Sequence, residues 1–289
     1  MSGHEHHGHK HHHDHLDWNA RGATMELEGE VMFPLVEQGF QWLQEVQPQA
    51  ERVLDIGSGP GIAACHLAEL YPDAEVVAVD GAPALLELAQ ARADRLGVRI
   101  GTREAQLPEG LGELGTADVI WIGQVLHHLG DQEAALAQLA GMLRPGGVLA
   151  LMEGGLPFRF LPRDIGIGRV GFETRLDVAV NIGFAEMREE LPDKVDVVED
   201  WAAMLDRAGM RHAGTKTFLV DHPAPIDGRT RDYAHSIFTR WGDFGADRLS
   251  EEDSATLARL LDPEDPAGVL KRKDTFVLGA RTIYLATTK

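Results

Sequence analysis

The run Val53-Leu54-Asp55-Ile56-Gly57-Ser58-Gly59-Pro60-Gly61 restricts what this chain can fold into more than any other stretch. Residues 52–56 are apolar and β-branched enough for a short buried strand. Three glycines at alternate positions then make a tight turn, and apolar spacing at Ile62, Ala63, Leu67 and Leu70 resumes with a helical period. A strand, a glycine turn and a helix in this order present backbone N–H groups and a helix N-terminus to a nucleotide-like ligand. Asp55 narrows the choice of ligand. A carboxylate two residues before the first glycine repels a pyrophosphate but suits a ligand carrying an ammonium and a sulfonium. The glycines also follow GxGxG spacing rather than the GxGxxG of dinucleotide binders. Both features favour S-adenosylmethionine over NAD.

The next apolar run, 75–79, ends in Asp80 and is followed by Gly81-Ala82-Pro83. Pro83 suits the first turn of a helix expected to run to residue 96. An acid at the tip of a second strand can accept both hydroxyls of a ribose. The competing role for Asp80 is an N-cap on that helix. Strand 98–102, strand 116–123, a helix over 131–143, a break at Arg144-Pro145-Gly146-Gly147 and strand 148–152 ending at Glu153 complete the alternation.

In order and spacing, VLDIGSGPG, VVAVD, ADVIWIGQVLHHLGD and LRPGGVLALME resemble the class I, Rossmann-like S-adenosylmethionine-dependent methyltransferases of the small-molecule type. The resemblance is strong over residues 45–155 and loose elsewhere, and it says almost nothing about the methyl acceptor. It implies an α/β fold: a Rossmann-like, seven-stranded, mostly parallel sheet with helices on both faces, an N-terminal helical lid, and insertions at the carboxyl edge. It places cofactor contacts on Asp55, Gly57, Ser58, Gly59 and Gly61, on Asp80 and Gly81, on Gln124, and on Glu104 and Ala105 in a turn after the third strand. The family more often has Gly-Asp-Ala where this chain has Arg103-Glu104-Ala105.

The chain has 289 residues, with 27 Lys and Arg against 46 Asp and Glu, for a formal charge of −19. Such a surface disfavours nucleic acid and anionic membranes, because binding phosphates requires clustered cations. No apolar run reaches the length of a membrane span and no signal-peptide core is evident, so a cytoplasmic enzyme is expected. Cys65 stands alone in the first helix and reads as a small core residue. Eight of the 14 histidines fall within residues 1–15, a stretch too polar to pack and expected to be disordered. That tail is a candidate ligand set for a divalent metal or a passive appendage. No metal site is expected in the rest of the chain, and a homodimer stays open.

Residues 16–50 are expected to form the helical lid, with a break or restart at Pro34 and with Trp18 and Phe33 either lining the acceptor pocket or packing in the core. Residues 51–289 are read as one methyltransferase domain. An irregular insertion at 154–194 precedes a helix at 198–209 and a strand at 214–220. A second insertion at 221–274 carries helical patterns near 230–241 and 250–261, and 281–287 is the closing strand.

Methyl transfer from a sulfonium is an in-line displacement, so alignment supplies much of the rate, and a base matters when the acceptor is a hydroxyl or a protonated amine. His127, His128 and Glu153 end the fourth and fifth strands and are the catalytic candidates, with His127 first. Adjacent residues at a helix start do not face the same way. The alternative is a packing role for His-His-Leu. His222, Tyr233 and His235 are further candidates, and Phe158 and Arg175 are candidate walls of the acceptor site. Two other classes are weighed. A nicotinamide-dependent oxidoreductase lacks its Tyr-x-x-x-Lys pair, since Ile237 stands four residues after Tyr233. A non-catalytic metal-binding or regulatory protein would explain the histidine tail.

Overall fold

In the computed structural model the described residues are 18–288. The histidine-rich stretch 1–15 and the side chain of Trp18 lie outside them. Seven strands form one sheet in the order β3-β2-β1-β4-β5-β7-β6: β1 Arg52–Ile56, β2 Glu75–Asp80, β3 Gly101–Glu104, β4 Ala117–Gly123, β5 Leu143–Arg159, β6 Met210–His222 and β7 Val277–Thr288. The first five are parallel, and β7 runs antiparallel to both β5 and β6. The central strands β1 and β4 are buried along nearly their whole length, as their Val, Leu and Ile content demands.

Both faces of the sheet are covered. On one side α4 (Gln132–Gly141) and α6 (Trp201–Arg207) pack Leu136, Leu139, Trp201 and Met204 against Leu54, Ile120 and Leu149. On the other, α1 (Trp18–Val46), α2 (Ile62–Leu70) and α3 (Pro83–Leu96) set Phe40, Leu43, Leu67 and Ala89 on Val53, Val119 and Ala150. Cys65 is buried there, a small core residue as expected. A third core lies beyond the carboxyl edge. There α5 (Phe172–Glu189), α7 (Gly228–Gly245) and α8 (Glu251–Leu261) enclose Phe160, which meets Tyr233, Phe238 and Trp241 at centroid distances of 5.9, 5.7 and 5.6 Å. Each buried aromatic of this kind contributes about 1.5–3 kcal/mol of burial. Val31, Met32 and Leu35 of α1 belong to the same cluster, so one helix spans two cores.

Several sequence expectations are corrected. Pro34 does not break α1, which is one helix across it. Burial of Val31, Met32 and Leu35 around the proline offsets a local penalty of about 3 kcal/mol. The third strand is 101–104 rather than 98–102, because the ladder to β2 begins only at Val77↔Gly101. The Arg-Pro-Gly-Gly segment is not a break before β5 but lies within it, accommodated where the register shifts between Ala117 and Val119. The insertion 154–194 is not irregular throughout. Its first six residues prolong β5 against β7, and its middle is an 18-residue helix. The helix expected at 198–209 shortens to 201–207, capped by Asp200, whose carboxylate accepts from the Ala203 amide at 3.1 Å.

The extension of β5 depends on Gly154 and Gly155, with φ of +68° and +118°. A Cβ on Gly155 would sit 2.2 Å from the Ala280 carbonyl oxygen, whereas one on Gly154 would meet nothing within 4 Å. Gly155→Ala should therefore destabilise the protein by about 2 kcal/mol or more, and Gly154→Ala by only about 1 kcal/mol. Urea unfolding monitored by tryptophan fluorescence checks the difference; equal losses would mean the β5–β7 approach is not tight.

Candidate active site

The glycine turn hangs from the tip of β1. Gly57, Gly59 and Gly61 have φ of +69°, +53° and +74°, values that residues with a Cβ rarely hold. The turn is also crowded: a Cβ on Gly57 would fall 2.4 Å from Val125 Cγ2, and one on Gly61 would fall 2.5 Å from Ala89 Cβ. At Gly59 the nearest neighbour would be Met25 Cε of α1 at 2.7 Å, so α1 lies directly over the turn.

Beneath the turn, Asp55 is 2% exposed and its Oδ2 has no hydrogen-bond partner. Ser58 Oγ is likewise buried and unpartnered. Buried polar atoms are ordinarily paired, so two orphans three residues apart, on either side of the start of the glycine turn, point to a place for a polar ligand. Burial pushes the Asp55 carboxyl up to about 7, and Asp80 adds to the rise while the Ala64 amide opposes it. A ligand ammonium or sulfonium is the complement this site lacks. The residues present therefore fit S-adenosylmethionine, and a pyrophosphate would only deepen the electrostatic cost.

Asp80 ends β2 and braces two turns. Its Oδ2 accepts from the Gly59 amide and its Oδ1 from the Ala82 amide, both at 2.9 Å. The N-cap of α3 is Ala82, not Asp80. Each oxygen keeps a lone pair for a ribose hydroxyl. Gly81 receives the Gln106 amide on its carbonyl at 2.8 Å, and the Ala105 amide donates to the Asp80 carbonyl at 3.1 Å, so both belong to the same rim. Glu104 is the last residue of β3, not part of a turn beyond it, and is exposed opposite Asp80.

The second half of the site joins β4 to β5. Gln124 holds φ of +58°, an uncommon conformation for a residue with a side chain, and its Nε2 donates to the Met152 carbonyl at 3.2 Å and to Glu153 Oε2 at 3.4 Å. Glu153 is 2% exposed. Its Oε1 accepts from the Val125 and Leu126 amides at 3.0 and 2.9 Å, and its Oε2 lies 2.8 Å from His127 Nδ1. A carboxylate on Nδ1 keeps the proton there and leaves the Nε2 lone pair free. His127 and His128 occupy a single 3₁₀ turn, their rings 4.1 Å apart. His127 turns inward to Glu153, while His128 is exposed.

Other predicted residues are engaged elsewhere. Phe33 stacks on His66 at 4.0 Å, towards α2. His222 Nε2 meets the Val31 carbonyl at 2.9 Å and His235 Nε2 the Leu261 carbonyl at 3.1 Å. Arg175 is bound to Asp253, whose carboxyl is held down at about 2 by that guanidinium, Ser250 and Arg169. It fastens α5 to α8. Tyr233 is 1% exposed within the third core, with Phe158 buried nearby. Among the described residues no cluster of His, Cys, Asp and Glu is arranged to hold a metal, and no helix is long and apolar enough to cross a membrane.

Sequence reasoning missed three contributors. Glu26 of α1 pairs with the buried Arg92 of α3 at 3.2 Å, fixing α1 above the glycine turn. Arg188 of α5 donates to the His127 carbonyl, and Phe184 sets its ring edge 5.5 Å from His127, so the first insertion buttresses the histidine turn. Neither carries a pattern beyond ordinary helix composition. Arg281 does: it is a charge inside the apolar closing strand.

Residues 53–147 match the sequence family described as a methyltransferase domain. The chain is 38% identical over 136 residues to a trans-aconitate 2-methyltransferase of Methylobacterium radiotolerans, covering 47% of this chain and 48% of that protein. A demethylmenaquinone methyltransferase of Thermus thermophilus is 35% identical over 103 residues, 36% of this chain and 47% of that one. A ubiquinone biosynthesis O-methyltransferase of Xanthomonas axonopodis is 33% identical over 107 residues, 37% of this chain and 44% of that one. The chain spans about half the length of these curated relatives. Two solved structures share the fold: one from Bacillus halodurans, with TM-score 0.51, 16% identity and coverage of 86% of this chain and 97% of that chain, and an O-methyltransferase family protein of Burkholderia thailandensis, with TM-score 0.50, 20% identity and coverage of 71% and 57%. Residues 53–147 thus carry the likeness to the methyltransferase-domain family, and they include the glycine turn and the buried Asp55 whose environment fits S-adenosylmethionine.

Asp55 gives the site a pH signature. Its carboxyl titrates near 7 in the fold against 3.8 ordinarily, so the fold favours its protonated form. The stability this provides is complete at acidic pH and is lost as pH rises through the folded value. Asp55→Asn should raise the melting temperature of the ligand-free protein more at pH 8 than at pH 5. It should also cost about 1–3 kcal/mol of S-adenosylmethionine affinity at pH 8 and flatten the rise in affinity between pH 6 and 8 expected of wild type. Thermal melts and calorimetry at the two ends of each range check both; wild-type affinity in the variant would remove Asp55 from the binding site.

Proposed function

We propose that the chain transfers the methyl group of S-adenosylmethionine to an oxygen or nitrogen of a small-molecule acceptor, with His127 as the base and Glu153 as the group that positions it. The observation that carries this reading is the Glu153–His127 pair, 2.8 Å apart at the carboxyl edge, next to the turn over unpartnered Asp55. Asp55, Ser58 and the glycine-turn amides would hold the donor's amino-acid end, Asp80 its ribose, and Gly81, Ala105 and the more exposed Glu104 its base. Bound there, the donor supplies a methyl group on a positively charged sulfur, which leaves as a neutral thioether. Nothing in that step requires a metal from the protein.

The protein's part is alignment and proton removal. Glu153, held by two backbone amides, keeps the His127 ring in one orientation. His127 Nε2 takes the proton of an acceptor hydroxyl or ammonium and returns it to solvent after the product leaves. Arg188 and Phe184 hold the backbone and ring of the same turn from α5. The curated relatives named for trans-aconitate, demethylmenaquinone and ubiquinone support a small organic acceptor. The net charge of −19 argues against a nucleic acid.

His127→Ala should lower kcat by about 10²-fold or more and leave the Kd for S-adenosylhomocysteine nearly unchanged. The deficit should shrink as pH rises and solvent takes over the acceptor proton. Glu153→Gln keeps the shape and removes the charge on Nδ1, so it should lower kcat by less. Unaltered turnover in both variants, assayed with an accepted substrate, would leave alignment alone as the source of rate.

A further inference from the structure

Arg281 stands in β7 opposite Gly155 of β5 and Phe218 of β6, two residues along β5 from Glu153. It lies on the sheet face that α1 covers, since the next residue on that face, Ile283, meets α1 at Gly39. Its guanidinium lies over the Phe158 ring, 4.3 Å from the centroid, and its only hydrogen bond among the described residues is a long one, 3.5 Å, to the carbonyl of the preceding Ala280. No carboxylate among the described residues comes within ion-pair distance. The ionisable groups that face it are Tyr233 and Arg240 of α7, Glu28 of α1 and Glu153 of β5. Each carboxylate of that set is already used: Glu28 pairs with Arg240 at 3.2 Å, and Glu153 holds His127 and two amides. The nearby Arg159 is also satisfied, by Asp177 at 3.1 Å.

This is an odd economy for a chain with 46 acidic residues and 27 basic ones. A guanidinium taken partly out of water costs free energy unless an anion meets it. Loss of water lowers its proton affinity despite the surrounding negative groups. Resting on the methyltransferase reading, we infer that Arg281 anchors a carboxylate of the methyl acceptor, with Phe158 fixing the plane of the fork that receives it. The planar donors of arginine match a carboxylate in two parallel hydrogen bonds. Arg281 and His127 both have Glu153 as a neighbour, and Arg281 stands opposite Gly155, two residues along β5 from Glu153. Glu28 and Glu153 flank the position, so a singly charged carboxylate suits it better than a dianionic phosphate.

The test uses the full chain saturated with S-adenosylhomocysteine, at constant ionic strength. Acetate, benzoate, succinate and propane-1,2,3-tricarboxylate are titrated, with glycerol 3-phosphate and sodium chloride in parallel, and the melting midpoint is read. Wild type should show a saturable rise with at least one carboxylate, by mass action on the native state. Arg281→Met should weaken that carboxylate's apparent affinity roughly 10- to 100-fold. Arg281→Lys should restore part of it. Retained stabilisation by S-adenosylhomocysteine shows that a variant is folded, and Arg281→Gln replaces the methionine variant if that one does not fold. Three results overturn the inference: no saturable rise with any carboxylate, an equal rise in wild type and the methionine variant, or a phosphate monoester binding as well as the best carboxylate. Failure of S-adenosylhomocysteine to stabilise wild type would instead sink the methyltransferase reading itself.

Discussion

A carboxylate placed near the end of a central strand, out of reach of water, sets the terms for everything around it. Asp55 cannot be relieved by solvent, and one of its oxygens has no partner in the protein. The surrounding elements arrange for a cation to reach it: the glycines keep the turn thin, Asp80 pins that turn through the Gly59 amide, and α1 shuts out water above. The electrostatic cost of burying Asp55 and the affinity for a cationic ligand are two faces of one free energy.

Much of this was readable from residues alone, and the reasons are local. β1, α2 and α3 are bounded by residues whose backbone preferences admit few choices: a glycine turn before α2, and Pro83 at the first turn of α3. The inward turn of His127 and outward turn of His128 follow from adjacency on a tight helical turn. What could not be read depends on residues far apart in the chain. The β5 extension exists because β7, more than a hundred residues later, pairs with it, and Gly154-Gly155 alone reads equally well as a loop. The third strand starts late, its ladder to β2 beginning only at Val77↔Gly101. Arg175 reads as a functional cation until Asp253, 78 positions away, is seen to claim it.

The site is also a meeting of two kinds of core. The glycine turn and Asp80 sit on the sheet, among regularly alternating strands and helices. Beyond the carboxyl edge stand α5, α7 and α8, whose packing centres on Phe160 and its aromatic neighbours and owes little to the sheet pattern. The Glu153–His127 pair lies at the boundary: Glu153 belongs to β5, while Arg188 and Phe184 reach His127 from the insertion. Donor recognition can therefore stay constant while the acceptor walls diverge, which agrees with relatives that align over the sheet segment and carry different acceptor names.

Helix α1 touches all of these parts. Met25 and Glu26 lean on the glycine turn and on α3, Glu28 reaches Arg240 of α7, and Val31 and Leu35 enter the insertion core. One helix thus packs against the glycine turn, α3, α7 and the insertion core. A ligand that changes the seating of α1 at one end would change it at the other, and two ligands bound at those ends would be thermodynamically linked, each altering the other's affinity by the same factor. For the same reason, a substitution on α1 far from either ligand should be felt by both, as a change in cooperativity more than in intrinsic binding.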